Sequence, residues 1–315
     1  MAWIKAQDIA YGRLTAPDLD LMEEFLTRFG MSKVERTSKA LYMRGTDPSH
    51  HIHVTEKGEP RFVGLAYWAA SEDDLKRLTG APGASGIETV DEPGGGKRVR
   101  LTEPNGYQIE VVHGIAPLPP IALGRQKLNT GEAPLARPGE LMRLPKGPSH
   151  VKRIGHGVML TPRFDETVKW FRETLGFICS DDVYAGEKSN LIGSFNRCDR
   201  GEHFVDHHVF FCLRHEKTGL NHLSFEVPDI DDVCMGHDYL KQFGAYEHMW
   251  GIGRHTLGSQ VYDYWSDPWG RVHEHWADSD RLNLANGSNL LPAEEALGSQ
   301  WGEAPPEKFI NHASP

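Results

Sequence analysis

The chain repeats itself, and the repeat limits the folds open to it. Laying IAYGRLTAPDLDLMEEFLTRFGM, from Ile9, over IGHGVMLTPRFDETVKWFRETLGF, from Ile154, requires one single-residue gap. Pro17 meets Pro162 before the gap and Gly30 meets Gly176 after it. In both copies a short strand leads into a helix. Phe164, Val168, Phe171 and Leu175 recur at helical spacing, as do Met22, Phe25 and Phe29. Gly30 and Gly176 then stand where a left-handed residue ends a helix. A second correspondence pairs LTEPNGYQIEVVHG, from Leu101, with WSDPWGRVHEHWAD, from Trp265, each a turn followed by a strand.

Between these anchors, FVGLAYWAASEDDLKRL and LNHLSFEVPDIDDVCMGHDYL each read as strand then helix. The pattern predicts an α+β protein of two domains, each built from two β-α-β-β-β modules. The expected boundaries are 1–135 for an N-terminal domain without a metal site, 149–280 for a catalytic metal-binding domain, and 281–315 for a tail or pocket cover. Residues 114–148, with Pro and Gly at short intervals, form the expected interdomain connection. A length of 315 residues fits two cores better than one.

The formal net charge of -10 argues against nucleic acid or an anionic membrane as partner. Small-molecule chemistry is the expected business. There is no apolar run of membrane-spanning length, and MAWIKAQDIAYG lacks the regions of a signal peptide, so a cytoplasmic location is expected. Cys179, Cys198, Cys212 and Cys234 show no CxxC pairing and read as reduced, mostly buried residues.

Three strand segments of the second half supply His156 in RIGHGVML, His222 in GLNHLSFEV and Glu274 in DPWGRVHEHW. Two imidazoles and one carboxylate are the facial set that leaves three positions open on a non-haem ferrous ion. The repeat tests the proposal. At the equivalent positions the first half has Tyr11, Gly64 and Glu110. A requirement of the module would show in both copies, whereas ligands for one metal are needed once. Strand alternation puts Leu223, Phe225 and Val227 on one face and His222 on the other. Around Glu274 a one-residue slip would exchange the glutamate for His273 and His275. The Asp267-Pro268-Trp269-Gly270 turn and the Glu110 counterpart favour Glu274.

Two other clusters read differently. His50, His51 and His53 lack the partners that would complete a structural zinc site. Gly94-Gly95-Gly96-Lys97 lacks the strand-to-helix context of a phosphate loop and reads as a hairpin turn.

The second half resembles the type I extradiol ring-cleavage dioxygenases of the vicinal oxygen chelate superfamily. The resemblance extends over nearly the whole chain and is strongest from His150 to Trp276. It implies a metal held by His156, His222 and Glu274, Fe(II) or alternatively Mn(II). Asp206-His207-His208-Val209-Phe210-Phe211 matches the family's His-His pair, which implies that His208 is the acid/base histidine and His207 the structural one. Gly253-Arg254-His255-Thr256 matches the segment whose histidine hydrogen-bonds the substrate, and Tyr264 matches the tyrosine ten residues before the glutamate. Val158, two residues past His156 on the same face, is expected near the substrate ring. The implied reaction is extradiol cleavage of a catecholic ring by dioxygen, in aromatic catabolism. A homo-oligomer is expected from exposed module edges. The same fold also serves glyoxalase-like isomerases and metal-free binding proteins, the alternative readings.

Overall fold

The computed structural model describes residues 2–124 and 127–315. The first half runs β1 (Ile9–Ala16), α1 (Leu19–Phe29), β2 (Ser32–Arg36), β3 (Ala40–Arg44), β4 (His53–Lys57), β5 (Arg61–Trp68), α2 (Glu72–Leu78), β6 (Glu88–Thr89), β7 (Lys97–Thr102) and β8 (Gln108–His113). The second half begins β9 (Arg153–Thr161), α3 (Phe164–Leu175), β10 (Phe177–Tyr184), β11 (Leu191–Cys198), β12 (Val205–Asp206) and β13 (Phe210–Arg214). It continues with β14 (Gly219–Glu226), α4 (Ile230–Lys241), β15 (His248–His255), β16 (Val261–Ser266) and β17 (Val272–Ala277).

The eight strands of the first sheet lie in the order β2-β3-β4-β1-β5-β8-β7-β6. The core of the second sheet repeats that order as β10-β11-β13-β9-β14-β17-β16-β15. Each half is therefore two β-α-β-β-β modules joined through β1 with β5, or β9 with β14, both antiparallel pairs. This is the expected α+β architecture. Residues 114–152 contain no helix or strand among those described.

Helix ends follow local chemistry. The Asp18 side chain accepts from Asp20 N and Leu21 N, satisfying donors that α1 leaves open. Gly30 closes the helix at φ 110°, and a Cβ there would lie 2.1 Å from Ser149 O, so both backbone conformation and space require glycine.

The halves pack reciprocally. A Cβ on Gly12 of β1 would meet Leu223 Cδ1 at 2.5 Å, and one on Gly157 of β9 would meet Leu65 Cδ1 at 2.8 Å. Gly12 and Gly157 are repeat equivalents, as are Leu65 and Leu223, so each half presents its bare strand to the other's leucine. Phe29 of α1 stacks on His275 of β17, with centroids 3.7 Å apart, and Phe171 of α3 packs on Tyr67 of β5. One apolar core thus runs through both halves. Each fully buried Phe or Leu contributes roughly 1.5–3 kcal/mol.

The residues after β17 are more ordered than their composition suggests. They add β18 (Arg281–Leu282), β19 (Asn289–Pro292), α5 (Ala293–Ala296), β20 (Ser299–Trp301) and α6 (Glu307–Ile310). β19 extends one edge of the second sheet beside β10, and β20 extends the other beside β15. Cys198 and Cys212 are buried as expected, but Cys179 is half-buried and Cys234 exposed; all four are free thiols. No described helix is long and apolar enough to cross a membrane.

Candidate metal centre and substrate cavity

β9, β14 and β17 are consecutive in the second sheet, and their register converges on one residue. Ser224 pairs with His156 on one side and with Glu274 on the other. His156, His222 and Glu274 project from the face opposite the interdomain core, while His273 and His275 face that core. His273 Nε2 lies 3.2 Å from His53 Nε2, and His275 Nε2 donates to Phe29 O at 2.6 Å. The structure therefore brings together the expected triad and not its one-residue slip.

The three ligand atoms are close. His156 Nε2 lies 3.2 Å and His222 Nε2 3.5 Å from Glu274 Oε2, and the two imidazole nitrogens are 3.4 Å apart. Ligands bonded at ~2.1 Å and roughly at right angles sit about 3 Å from one another, so the set has the dimensions of a facial site. Glu274 is fully buried, and neither of its carboxylate oxygens has a hydrogen-bond partner among the described residues. Burial pushes its carboxyl up, yet the adjacent imidazoles of His156, His255 and His222 hold it well below the usual carboxylate range. Burial lowers His222 to about 3, so its ring is neutral and offers a lone pair.

The tautomer of His222 is dictated from outside the triad. Asn221 donates its amide hydrogens to the carbonyls of Phe309 and His312, both at 3.0 Å. Its Oδ1 must then accept, and it does so from His222 Nδ1 at 2.7 Å. His222 Nε2 is left with the free lone pair, on the side of the triad. The C-terminal segment thereby orients a triad residue, a role the sequence did not reveal.

His208 is set by a comparable chain. His207 Nε2 lies 2.6 Å from Asp181 Oδ2, and a carboxylate can only accept. With its proton on Nε2, His207 presents a lone pair at Nδ1, which lies 3.0 Å from His208 Nδ1. His208 must donate there, leaving Nε2 as the lone pair of a ring that packs 4.0 Å from His156. Burial, then the neighbouring imidazoles, lower His208 well below the usual histidine range, so it is held neutral, as a base. Asp181, on β10, was not singled out from the sequence. The nearer Asp206 instead pairs with Arg153 and Arg281.

On the far side of the triad, His255 Nε2 lies 2.7 Å from the Tyr264 hydroxyl, and Tyr264 pairs directly with Glu274 across β16 and β17. Burial and the charge of Glu274 push the Tyr264 phenol well above its ordinary value, so it stays protonated and donates. His156, His208, His222, His255, Tyr264 and Val158 all line one cavity of about 200 Å³. Phe309, from the C-terminal segment, stacks 5.8 Å from the His222 ring and closes its wall.

The first half shows the same position with other partners. Glu110, equivalent to Glu274, accepts a hydrogen bond from Tyr11 and pairs with Arg13 Nη2 at 3.2 Å and Arg98 Nη1 at 3.4 Å. Arg13 is the repeat equivalent of Val158. A Cβ on Gly64, equivalent to His222, would lie 1.7 Å from Gln108 O. The register also explains the His50, His51 and His53 cluster. Gly12 pairs with His53 where Gly157 pairs with Phe210, so His50 and His51 are the counterparts of His207 and His208. Their Nδ1 atoms lie 3.2 Å apart.

A second grouping, His237, His248 and Asp263, lies outside the cavity. There the buried carboxylate is hydrogen-bonded by both histidines and by Trp265 Nε1. It differs from Glu274 in being satisfied.

Residues 153–273 match the family described as Glyoxalase/Bleomycin resistance protein/Dioxygenase superfamily. The chain carries a domain of that superfamily. Across 95% of this chain and 90% of the relative, it is 28% identical to metapyrocatechase 2 of Cupriavidus necator. It is 23% identical to the manganese-dependent 2,3-dihydroxybiphenyl 1,2-dioxygenase of Geobacillus genomosp. 3, over 87% of this chain and 82% of the relative. Among solved structures, the Mn(II)-bound glyoxalase from Novosphingobium aromaticivorans superposes with a TM-score of 0.80 at 25% identity, covering 99% of this chain and 96% of that one. An extradiol ring-cleaving dioxygenase from B. fuscum, 16% identical, covers 99% of this chain and 83% of that one at a TM-score of 0.80, a likeness of fold. The vicinal oxygen chelate fold thus accounts for both halves.

Proposed function

We propose that the chain is an extradiol ring-cleavage dioxygenase of aromatic catabolism, with His156, His222 and Glu274 holding Fe(II) or Mn(II). One observation carries the reading. Glu274 is a buried carboxylate facing two imidazole nitrogens with no Lys or Arg paired to it among the described residues, whereas Glu110 at the equivalent position is paired with Arg13. A buried charge without a partner is strongly disfavoured, and a bound cation supplies what Arg13 supplies in the other half.

A metal held by His156, His222 and Glu274 would supply Lewis acidity toward the catechol and a path for electrons from it to dioxygen. The chain does the rest. Tyr264 and His255 orient one catechol oxygen and stabilise charge on it through the phenol donor. His208, neutral with its lone pair at Nε2, takes a proton on the dioxygen side and returns it as the ring opens. Asp181 and His207 fix its tautomer and offset the positive charge that forms. Val158 packs against the ring. The aromatic carbon–carbon bond beside the diol breaks, and both oxygen atoms of dioxygen enter the product.

Anaerobic loading with Fe(II) or Mn(II), followed by catechol and oxygen, tests the proposal. Oxygen uptake matched to catechol loss, with a yellow ring-fission product, is expected, and a metal-loaded chain that consumes no oxygen refutes it. A glyoxalase-like isomerase, favoured by the likeness to the Novosphingobium protein, would transform its substrate without oxygen. Glu274→Ala should lose the metal itself. We further propose a cytoplasmic enzyme, in keeping with its free thiols. We also propose a homo-oligomer, supported by the open sheet edges at β2 and β6; light scattering after size-exclusion chromatography checks this.

A further inference from the structure

We infer that the cavity selects uncharged catechols with an apolar ring substituent and excludes catechols whose substituent carries a carboxylate. The inference rests on the ring-cleavage reading, which supplies the catechol, but its argument is independent and concerns the rest of the lining. Beyond the triad and the groups that hydrogen-bond the diol, the walls are hydrocarbon. Val158, Phe195, Phe211 and Leu257 pack together in one part of the wall, and Trp250 and Phe309 in another.

None of the lining residues is Lys or Arg. Two neutral amides are the remaining polar groups, and one of them is occupied, since Asn221 is committed to His222 and to the C-terminal carbonyls. Gln260, 1% exposed, keeps an unpartnered Nε2, which gives an acceptor one hydrogen bond but no compensating charge. A carboxylate on the ring substituent, held away from the triad by the diol, would lose its water against these walls and meet no Lys or Arg. The chain's formal charge of -10 also disfavours the approach of an anion. An apolar substituent meets the reverse conditions, each added methylene gaining roughly fourfold in binding while space remains.

Charge is separated from size by comparing 4-methylcatechol, 3,4-dihydroxyphenylacetate and the methyl ester of the latter on the Fe(II)-loaded chain. The expected result is that kcat/KM for the methylcatechol and the ester each exceed that for the free acid by about 100-fold or more. An acid cleaved as well as its ester overturns the inference. So does an ester as poor as the acid, because the discrimination would then be one of size. If no catechol is cleaved, the ring-cleavage reading fails. Anaerobic binding of the same three compounds to the Mn(II)-loaded chain, followed by difference absorbance, still decides the selection: tighter binding of the ester than of the acid supports it and equal binding overturns it.

Discussion

Replacing Asp181 with asparagine tests the relay behind His208 without changing its volume. In the native arrangement Asp181 Oδ2 accepts from His207, while Oδ1 accepts from the Asn289 amide at 2.8 Å. Asn289 donates its Nδ2 there, so an asparagine at 181 that keeps this bond turns its carbonyl toward Asn289 and its NH2 toward His207 Nε2. His207 must then accept at Nε2 and carry its proton on Nδ1. His208 is forced to accept at Nδ1 and to place its proton on Nε2, which removes the lone pair from the cavity. A positioned general base is worth about 100- to 10,000-fold, so kcat should fall by that factor, about 2.7–5.4 kcal/mol at 1.36 kcal/mol per tenfold.

The assay is oxygen uptake by metal-loaded protein at saturating catechol, with metal content and anaerobic catechol binding measured in parallel. Both should match the parent, because neither depends on the His208 proton. A second variant separates tautomer from general damage. Combining Asp181→Asn with Asn289→Asp gives the asparagine NH2 an acceptor, returns its carbonyl to His207, and should recover most of the lost rate. Full activity in the single variant, or no recovery in the swap, would refute the relay.

Asn221→Ala should weaken metal binding about 10- to 100-fold, because His222 loses the bond that fixes its ring; chelator competition measures it, and limited proteolysis should show a loosened C-terminal segment. Arg13→Met should destabilise the protein by about 1.5–3 kcal/mol in urea unfolding by removing the nearer of the two guanidinium partners of buried Glu110 and leaving it only Arg98, with much of the loss restored on adding Glu110→Gln. Asp263 raises the pKa of His237 above its ordinary 6.5 by hydrogen bonding and charge, so the stabilisation is fully present below pH 6.5 and fades as pH rises through the elevated value. His237→Gln should therefore lose about 1 kcal/mol at pH 6 and markedly less at pH 9. An equal loss at both pH values would show that the charged pair contributes nothing.

Much of this site was legible because strands print their geometry in the sequence. The alternation in His222-Leu223-Ser224-Phe225 assigns a face to each residue, and the turn before Arg271 sets the register that separates Glu274 from its histidine neighbours. The repeat located Tyr11, Gly64 and Glu110 correctly for the same reason: a duplicated module carries its pairing register with it. What remained hidden was contact through space. Asp181 is 26 residues from His207 along the chain, and nothing local distinguishes it from Asp182 or from Asp206, which sits beside the histidine pair but turns to two arginines. Asn221 adjoins His222, yet its role follows only from the carbonyls of Phe309 and His312, in a segment whose periodicity is too weak to place. The C-terminal strands gain their order from the sheet edges they join.

The His50–His51 pair shows how a correct rejection can still miss a meaning. It lacks a zinc partner, as the spacing indicated, but it occupies the position of His207–His208 in the module where Arg13 and Tyr11 answer the carboxylate. Glu110 and Glu274 are one position with two answers to one electrostatic problem. In the first half a β1 arginine reaches the carboxylate, a tyrosine donates to it, and Gly64 leaves no room for a second imidazole. In the second half valine replaces the arginine, and the carboxylate faces two lone pairs instead. Each set is consistent only as a whole: an arginine at Val158 would compete with a metal for Glu274, and a histidine at Gly64 would collide with the β8 backbone. A single substitution toward the other state should therefore be worse than either, which is why the two halves can differ so completely at the site while sharing every strand around it.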